Sequence, residues 1–134
     1  MADKTGLMID SAEVRLVRLP LIRPFTISTG TMHAKEFVLL TLRSGRLEGY
    51  GEGVMDPLPD YLEETNASGL MLLEQAILPQ LLGQRFDNPA MLEQTMTHWR
   101  GNRMTKAMVE MAFQDLWAKS LGLPLKTVLG GVRD

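Results

Sequence analysis

The chain has 134 residues, of which 14 are Lys or Arg and 16 are Asp or Glu, and it has no cysteine. This length corresponds to about one domain and is too short for a (β/α)8 barrel, which takes roughly 250 residues. A net charge of -2 without a basic stripe argues against nucleic-acid binding. No apolar run approaches the length of a membrane span. The lack of cysteine excludes disulfides and, with a polar N-terminus that has no signal-peptide core, predicts a cytoplasmic protein.

Three antiparallel strands are predicted in the first part of the chain. Apolar and polar residues alternate over residues 7–20, which is typical of a strand. Residues 37–42 form a continuous β-favouring run, and a turn at residues 44–45 returns the chain over residues 47–54 as a hairpin. The last strand has glycines alternating on one face, which favours close approach by another backbone or a ligand. These glycines are Gly49, Gly51 and Gly53.

Two loops are predicted beside these strands. Residues 21–32 are expected to be irregular because Pro20, Pro24 and Gly30 interrupt the pattern. Residues 55–61 are expected to form a second loop, stiffened by two prolines.

The second part of the chain is predicted to be helical. A helix is expected over about residues 62–78, with Glu63 and Glu64 in its first turn, where acids interact favourably with the helix dipole. Pro79 is expected to bend or end this helix. Strands followed by helices indicate an α+β fold, here a three-stranded antiparallel sheet followed by a helical bundle.

Three further helical segments complete the bundle. Asn88 is a predicted N-cap, followed by proline at the first helical position, and this helix reaches about residue 99. The last long helix is predicted over residues 103–121, with Gly122 just beyond its C-terminus. A short helical turn is predicted at residues 125–129.

The long helix over residues 103–121 is apolar around most of its circumference. Such a helix is expected to be buried on several sides. Asp115 and Lys119 form an i,i+4 pair in the favourable order. We expect Glu110 and Asp115 to pair with Arg or Lys, because an unpaired buried carboxylate would be costly.

This helix and the residues after it form a spaced pattern: Glu-x-Ala, an acid, a basic residue, Pro-Leu and a terminal Leu-Gly. The pattern resembles the capping domain in the muconate-lactonizing and mandelate-racemase branch of the enolase superfamily. Residues 101–112 are most similar to the N-acylamino acid racemase and o-succinylbenzoate synthase group. Met108 and Phe113 depart from the broad pattern, which has smaller residues there, but not from the narrower one. The matching residues are Glu110, Ala112, Asp115, Lys119, Pro124, Leu125, Leu129 and Gly130.

The resemblance implies that residues 1–134 are a capping domain, with strands at about 7–54 and helices at about 62–129, and that the C-terminal barrel is not in this chain. It implies an enzyme that abstracts a proton alpha to a carboxylate with a divalent metal such as Mg²⁺. The bases and metal ligands would lie in the barrel, so no catalytic or metal-binding residue is expected in this chain, and the isolated chain is expected to be inactive. The implied partners are the barrel, a small carboxylate substrate and, in the longer protein, further copies of itself.

The resemblance also implies which residues approach the substrate. They are Phe25 and Thr29 in the first loop and Met55 and Tyr61 in the second. Thr29 departs from the phenylalanine of the family pattern, so a hydrophobic acyl pocket of the usual size is not implied. Glu52 is either an acid or base or, as we favour, a residue that orders its loop.

Racemisation of an N-acylamino acid or formation of o-succinylbenzoate is the activity that the resemblance favours. A muconate-type cycloisomerase and a dipeptide epimerase remain alternatives. A free-standing binding module without chemistry is an alternative of a different class. The two histidines, His33 and His98, lack metal-ligand spacing and are expected at the surface.

Overall fold

The computed structural model describes residues 6–133 and confirms the α+β architecture. A three-stranded antiparallel sheet in the order β2-β3-β4 packs against helices, and β1 and β5 form a separate antiparallel pair. Within this part of the chain, none of the helices combines the length and apolarity that crossing a membrane requires. The strands are β1 (Leu7–Met8), β2 (Ser11–Ile27), β3 (Gly30–Ser44), β4 (Leu47–Gly53) and β5 (Arg85–Phe86). The helices are α1 (Asn66–Leu72), α2 (Leu78–Leu81), α3 (Pro89–Met96), α4 (Arg103–Leu121) and α5 (Leu125–Val128), with a π-helical turn at Leu73–Ile77.

The prediction of a loop over residues 21–32 was wrong. Strands β2 and β3 continue through this segment as a long hairpin, which turns at residues 28–29. The two prolines are tolerated because β2 lies at the edge of the sheet, where a missing N–H need not break the ladder. A shift of register between Pro20 and Phe25 absorbs the remaining irregularity.

Helix α4 lies directly on the glycines of β4, as the bare face of that strand predicted. A Cβ atom at Gly49 would lie 2.1 Å from the carbonyl oxygen of Ala112, and one at Gly51 would lie 2.0 Å from that of Met108. No side chain fits in such a gap, so helix and strand touch backbone to backbone. This contact fixes the helix over the sheet and closes the main core.

The core lies between the sheet and the helices. Leu40 and Leu42 point from β3 toward Phe113 and Leu116 of α4, and all four side chains have no exposed surface. The short β1–β5 pair was not predicted, and it brings the start of the chain against the segment after α2. The largest buried side chains are Phe113, Ile9, Leu40, Leu42, Met55, Leu73, Ile77, Leu81, Leu92, Met108, Leu116 and Val38.

The predicted pair of Asp115 and Lys119 is confirmed, at 2.8 Å between Nζ and Oδ2. The pair also bonds to the backbone of β4. The amide of Tyr50 donates to Asp115 at 3.0 Å, and Lys119 donates to the carbonyl of Glu48 at 2.7 Å. The outer edge of β4 is therefore covered by polar side chains of α4, which blocks further strand pairing there.

A charged cluster covers the opposite face of the sheet from α4. Arg43 bonds to Glu48 at 2.7 Å, and the hydroxyl of Tyr50 donates to the same carboxylate. The Tyr50 hydroxyl, followed by Arg43, lowers the pKa of Glu48. In return, the carboxylate raises the pKa values of Tyr50 and Arg43.

Helix α1 begins at Asn66 rather than at residue 62. Thr65 is the N-cap, and it exchanges hydrogen bonds with Ser68 in a capping box. The helical path continues past Pro79 to Leu81, because the preceding π-helical turn accommodates the missing proline N–H. Because α1 begins at Asn66, the expectation that Glu63 and Glu64 occupy its first turn was wrong.

The remaining helices follow the sequence closely. The side chain of Asn88 accepts from the amide of Met91 at 3.1 Å and caps α3 as predicted, although this helix ends at Met96. Helix α4 has the predicted bounds and ends at Gly122, whose φ of 65° is the left-handed conformation that glycine adopts readily.

The expected ion pair of Glu110 with a basic residue was wrong. Among residues 6–133 its carboxyl group has no Lys or Arg partner, and the neighbouring titratable group is Glu93 of α3. Partial burial is the main cause that raises the pKa of Glu110, and the Glu93 carboxylate raises it further.

Glu110→Gln is expected to raise the melting temperature at neutral pH. The folded-state pKa of Glu110 is raised, so its contribution to stability is complete below the unfolded value of 4.5 and is lost as pH rises through the folded value. The amide removes this loss, so the gain should shrink toward zero below pH 4.5. Thermal unfolding at both pH values tests this, and Glu93→Gln should act in the same direction. A lower melting temperature for Glu110→Gln at neutral pH would contradict the assignment.

A candidate substrate-facing cavity

The tip of the β2–β3 hairpin and the loop after β4 enclose an open cavity of about 600 Å³. This volume is within the range of small-molecule sites, which is about 300–1,000 Å³. Three of the four residues predicted to approach a substrate line it, namely Phe25, Thr29 and Tyr61. The lining residues are Phe25, Ile27, Thr29, Gly30, Thr31, Met32, Lys35, Asp56, Pro57, Leu58, Asp60 and Tyr61.

One wall is the hairpin tip. Phe25 pairs with Met32 across the two strands, and its side chain remains 58% exposed. The hydroxyls of Thr26 and Thr31 lie 3.0 Å apart and link the strands next to the turn that contains Thr29. The tip thus presents an aromatic side chain on ladder-bonded backbone rather than on an irregular loop.

The other wall is the segment after β4, which Asp56 fixes in place. Lys35 of β3 bonds to the Asp56 carboxylate at 2.8 Å, and the Asp56 carbonyl accepts from the amide of Asn66 at 2.9 Å. Tyr61 follows on this wall and is 84% exposed. The ion pair ties the wall to the hairpin stem at the base of the cavity.

Met55 does not belong to this cavity, which corrects the prediction that it approaches a substrate. Its side chain has no exposed surface and lies in the core. Its methyl group would be 2.4 Å from a Cβ atom at Gly69 and 3.1 Å from one at Gly53. The alternation of buried and exposed residues in β4 continues past the end of the strand at Gly53, so the Met55 side chain faces the core.

Three other residues that the sequence singled out, Glu52, His33 and His98, do not line this cavity. Glu52 is an exposed residue within β4, and its carboxylate forms no hydrogen bond with the part of the chain that is described, so the predicted loop-ordering role was wrong. His33 and His98 are exposed, as expected. Across residues 6–133, no group of three His, Cys, Asp or Glu side chains is placed to hold a metal ion.

Lys35 and Asp56 were not predicted from the sequence. Their contact depends on β3 extending back to Gly30, whereas the strand was predicted to begin only at residue 37. The available signal in the sequence was the alternation of β2, which reaches Leu19, the residue that pairs with Lys35 in the ladder.

The fold is that of an N-terminal domain of the enolase superfamily. A family model described as the N-terminal domain of mandelate racemase / muconate lactonizing enzyme matches residues 11–130. The chain therefore belongs to this family. Its structure is similar to the crystal structure of muconate lactonizing enzyme from Pseudomonas fluorescens complexed with muconolactone. The TM-score is 0.88 at 34% identity, over 96% of this chain and 36% of that one.

Two similar curated proteins have related names. N-succinylamino acid racemase from Thermus thermophilus is 50% identical over 125 residues, which are 93% of this chain and 34% of that protein. An o-succinylbenzoate synthase from Geobacillus kaustophilus is 37% identical over 126 residues, which are 93% of this chain and 34% of that protein. The chain spans about a third of the length of these relatives.

Proposed function

We propose that this chain is the capping domain of a metal-dependent enolase-superfamily enzyme, and that it sets substrate specificity and excludes water from the active site. The observation that supports this most is the open cavity that brings Phe25, Thr29 and Tyr61 together at the hairpin tip. Capping segments of this kind complete an active site by covering it.

The proposed reaction begins with removal of a proton alpha to a carboxylate. Such a weak carbon acid needs a positioned base and electrostatic stabilisation of the resulting oxyanion, which a divalent metal supplies when bound. Residues 6–133 do not offer a metal site, so we assign the bases and metal ligands to a C-terminal barrel. The role of this domain is to bind and enclose the variable end of the substrate.

Exposed apolar side chains near the C-terminus support contact with such a barrel. Isolated exposed apolar residues are ordinary, but a cluster of them marks an interaction surface. Helix α5 and its flanks have such a cluster, at 37–96% exposure. It consists of Leu121, Leu123, Leu125, Leu129 and Val132. The relatives, about three times longer than this chain, have the additional length for a second domain.

Racemisation of an N-acylamino acid or formation of o-succinylbenzoate is the activity that we favour, because similar proteins have these names. Muconate cycloisomerisation is the second candidate, given the similarity to a muconate lactonizing enzyme. Dipeptide epimerisation is a further candidate, because a solved structure of an L-Ala-D/L-Glu epimerase is also similar to this chain. A cytoplasmic location and assembly into a homo-oligomer complete the proposal. A free-standing binding module would instead be monodisperse without the barrel and would not bind a hydrophobic dye through the α5 surface.

Phe25→Ala in the longer enzyme that includes this domain is expected to raise KM for an N-acylamino acid about tenfold. The physical reason is loss of apolar contact at the cavity wall, about 1.4 kcal/mol for a tenfold change. Because Phe25 is 58% exposed, the melting temperature should change little. Steady-state kinetics on N-acylamino acids with different acyl groups, together with thermal unfolding, provide the measurement.

Ile22→Ala is the matched control, because Ile22 is fully exposed on the same hairpin and does not line this cavity. It should leave KM and the melting temperature unchanged. Equal losses of activity and melting temperature in Phe25→Ala would show that Phe25 stabilises the fold instead. Equal KM values for the two variants would remove the specificity role.

A further inference from the structure

We propose that the free edge of β2 pairs antiparallel with the same edge of a second copy of this chain, so that two three-stranded sheets form one continuous sheet. The inference rests on the hydrogen-bond pattern of the sheet and on the order of charges along β2. It supplies an interface for the homo-oligomer of the proposed function and does not depend on the proposed reaction.

The closed edge of β4 shows which backbone groups point outward. The amide of Tyr50 and the carbonyl of Glu48 bond to side chains of α4 rather than to β3. In an antiparallel pair, inward and outward groups alternate along each strand. The backbone N–H and C=O groups of the even-numbered residues of β4 therefore point away from β3. Those of the odd-numbered residues bond to β3.

The same alternation identifies the outward groups of β2. Odd residues of β4 pair with even residues of β3, as Gly51 does with Leu40, so the odd residues of β3 bond to β2. Their partners in β2 are also odd, as in the pair of Thr41 with Glu13. Residues 12, 14 and 16 therefore point their N–H and C=O groups away from the sheet. Within residues 6–133, no hydrogen bond outside the ladder reaches these groups.

The free edge is long and only half protected. Two prolines and a register shift interrupt β2 after residue 19, which discourages pairing there. Residues 11–19 contain no proline, and Leu16 is 55% exposed beside the outward-facing backbone. The unpaired N–H and C=O groups of such an edge are a template for pairing with another strand. The first half of β2 is therefore the part that is available to another strand.

The charges of β2 favour its own sequence as the partner. In an antiparallel pair centred on Val14, Val14 faces its counterpart, and Ala12 faces Leu16 in hydrogen-bonded pairs. Within one copy, Glu13 already bonds to Arg15 and Arg43. In the proposed pair, Glu13 of each copy also faces Arg15 of the other in a non-hydrogen-bonded pair, where side chains are closest. A pair centred on Arg15 would instead oppose two arginines, which is destabilising.

The Val14-centred register has two-fold symmetry, as most homodimer interfaces do. Both copies contribute the same residues, and each cross-strand contact occurs twice. Because residues 12–16 are complementary to themselves in apolar and charged positions alike, a second copy fits this edge.

The test is the mass of the 134-residue chain by analytical ultracentrifugation over a range of micromolar concentrations. The expected result is a reversible dimer of twice 15.0 kDa. Val14→Pro removes an outward N–H that the monomer does not use, so this variant should keep its circular dichroism spectrum and dimerise at least about tenfold more weakly. A wild-type chain that is monomeric at every concentration, or a folded Val14→Pro variant with the wild-type Kd, would overturn the proposal.

A charge exchange tests the register itself, independently of whether Val14→Pro folds. Glu13→Arg or Arg15→Glu alone places like charges opposite each other and should weaken the dimer about tenfold, since the contact occurs twice. The double variant restores opposite charges and should return to within about threefold of the wild-type Kd. Arg46→Glu, at the exposed β3–β4 turn, is the matched control and should leave the Kd unchanged. If the single variants behave like this control, or if the double variant is weaker than both, the Val14-centred pair is wrong.

Discussion

Replacing Gly51 with alanine is expected to destabilise the domain by about 3 kcal/mol or more. The added Cβ would lie 2.0 Å from the Met108 carbonyl oxygen, a helix backbone atom that no change of rotamer can move. To relieve the clash, α4 must shift away from β4 as a unit, and this opens the core around Val109 and Phe113. Urea unfolding followed by circular dichroism measures the loss.

Gly45→Ala separates this steric effect from the conformational effect of losing a glycine. Gly45 has a φ of 56°, and nothing lies within 4 Å of a Cβ atom there, so its substitution costs only the left-handed conformation. That cost is about 1 kcal/mol. Gly51→Ala must therefore be clearly the more destabilising of the two. Equal losses would mean that α4 does not rest on the backbone of β4.

Glu64→Ala is expected to destabilise the domain by about 3 kcal/mol. The Glu64 side chain lies before α1 in the chain but caps the N-terminus of α4, and alanine removes this cap. Asn102, at the helix start, provides no side-chain cap. The carboxylate of Glu64 instead accepts from the amide of Met104 at 2.8 Å and from the amide and hydroxyl of Thr105 at 3.0 and 2.9 Å. Removing it leaves these donors without partners at the positive end of the helix dipole.

Glu63→Ala is the matched control for this prediction, since Glu63 is the exposed neighbour with the same charge. It should change the free energy of unfolding by less than about 0.5 kcal/mol. Glu64→Gln should fall between the two, because the amide oxygen still accepts one or two of the bonds but lacks the charge. Chemical denaturation of the three variants gives the comparison, and a Glu64→Ala variant as stable as Glu63→Ala would rule out the capping role.

Several features could be predicted from the sequence because they depend on neighbours along the chain. Helix α4 was predicted with the bounds that the structure has, since its apolar pattern ends at a glycine followed by a proline two residues later. The pair of Asp115 and Lys119 follows from one turn of helix. The glycine face of β4 indicated close approach, although not by which element.

The tip of the hairpin could not be predicted by the same means. Pro20, Pro24 and Gly30 are local signals for a loop, but β2 lies at an edge where prolines are tolerated, and this position is a property of the whole sheet. As a result, Phe25 was assigned to an irregular loop, whereas it lies in β2, and Thr29 lies in the turn of the hairpin. The ion pair of Lys35 and Asp56 was missed for the same reason.

The sequence by itself determined the order of the main strands and helices, the bounds of α4 and the resemblance to its family, because each depends on residues at fixed spacing. Only the tertiary structure decided the environment of individual side chains. Met55 was predicted to approach a substrate but lies in the core. Glu64 was predicted in the first turn of α1 but caps α4. The physical reason is that burial and long-range hydrogen bonds depend on which segments meet in space, and spacing along the chain does not specify this.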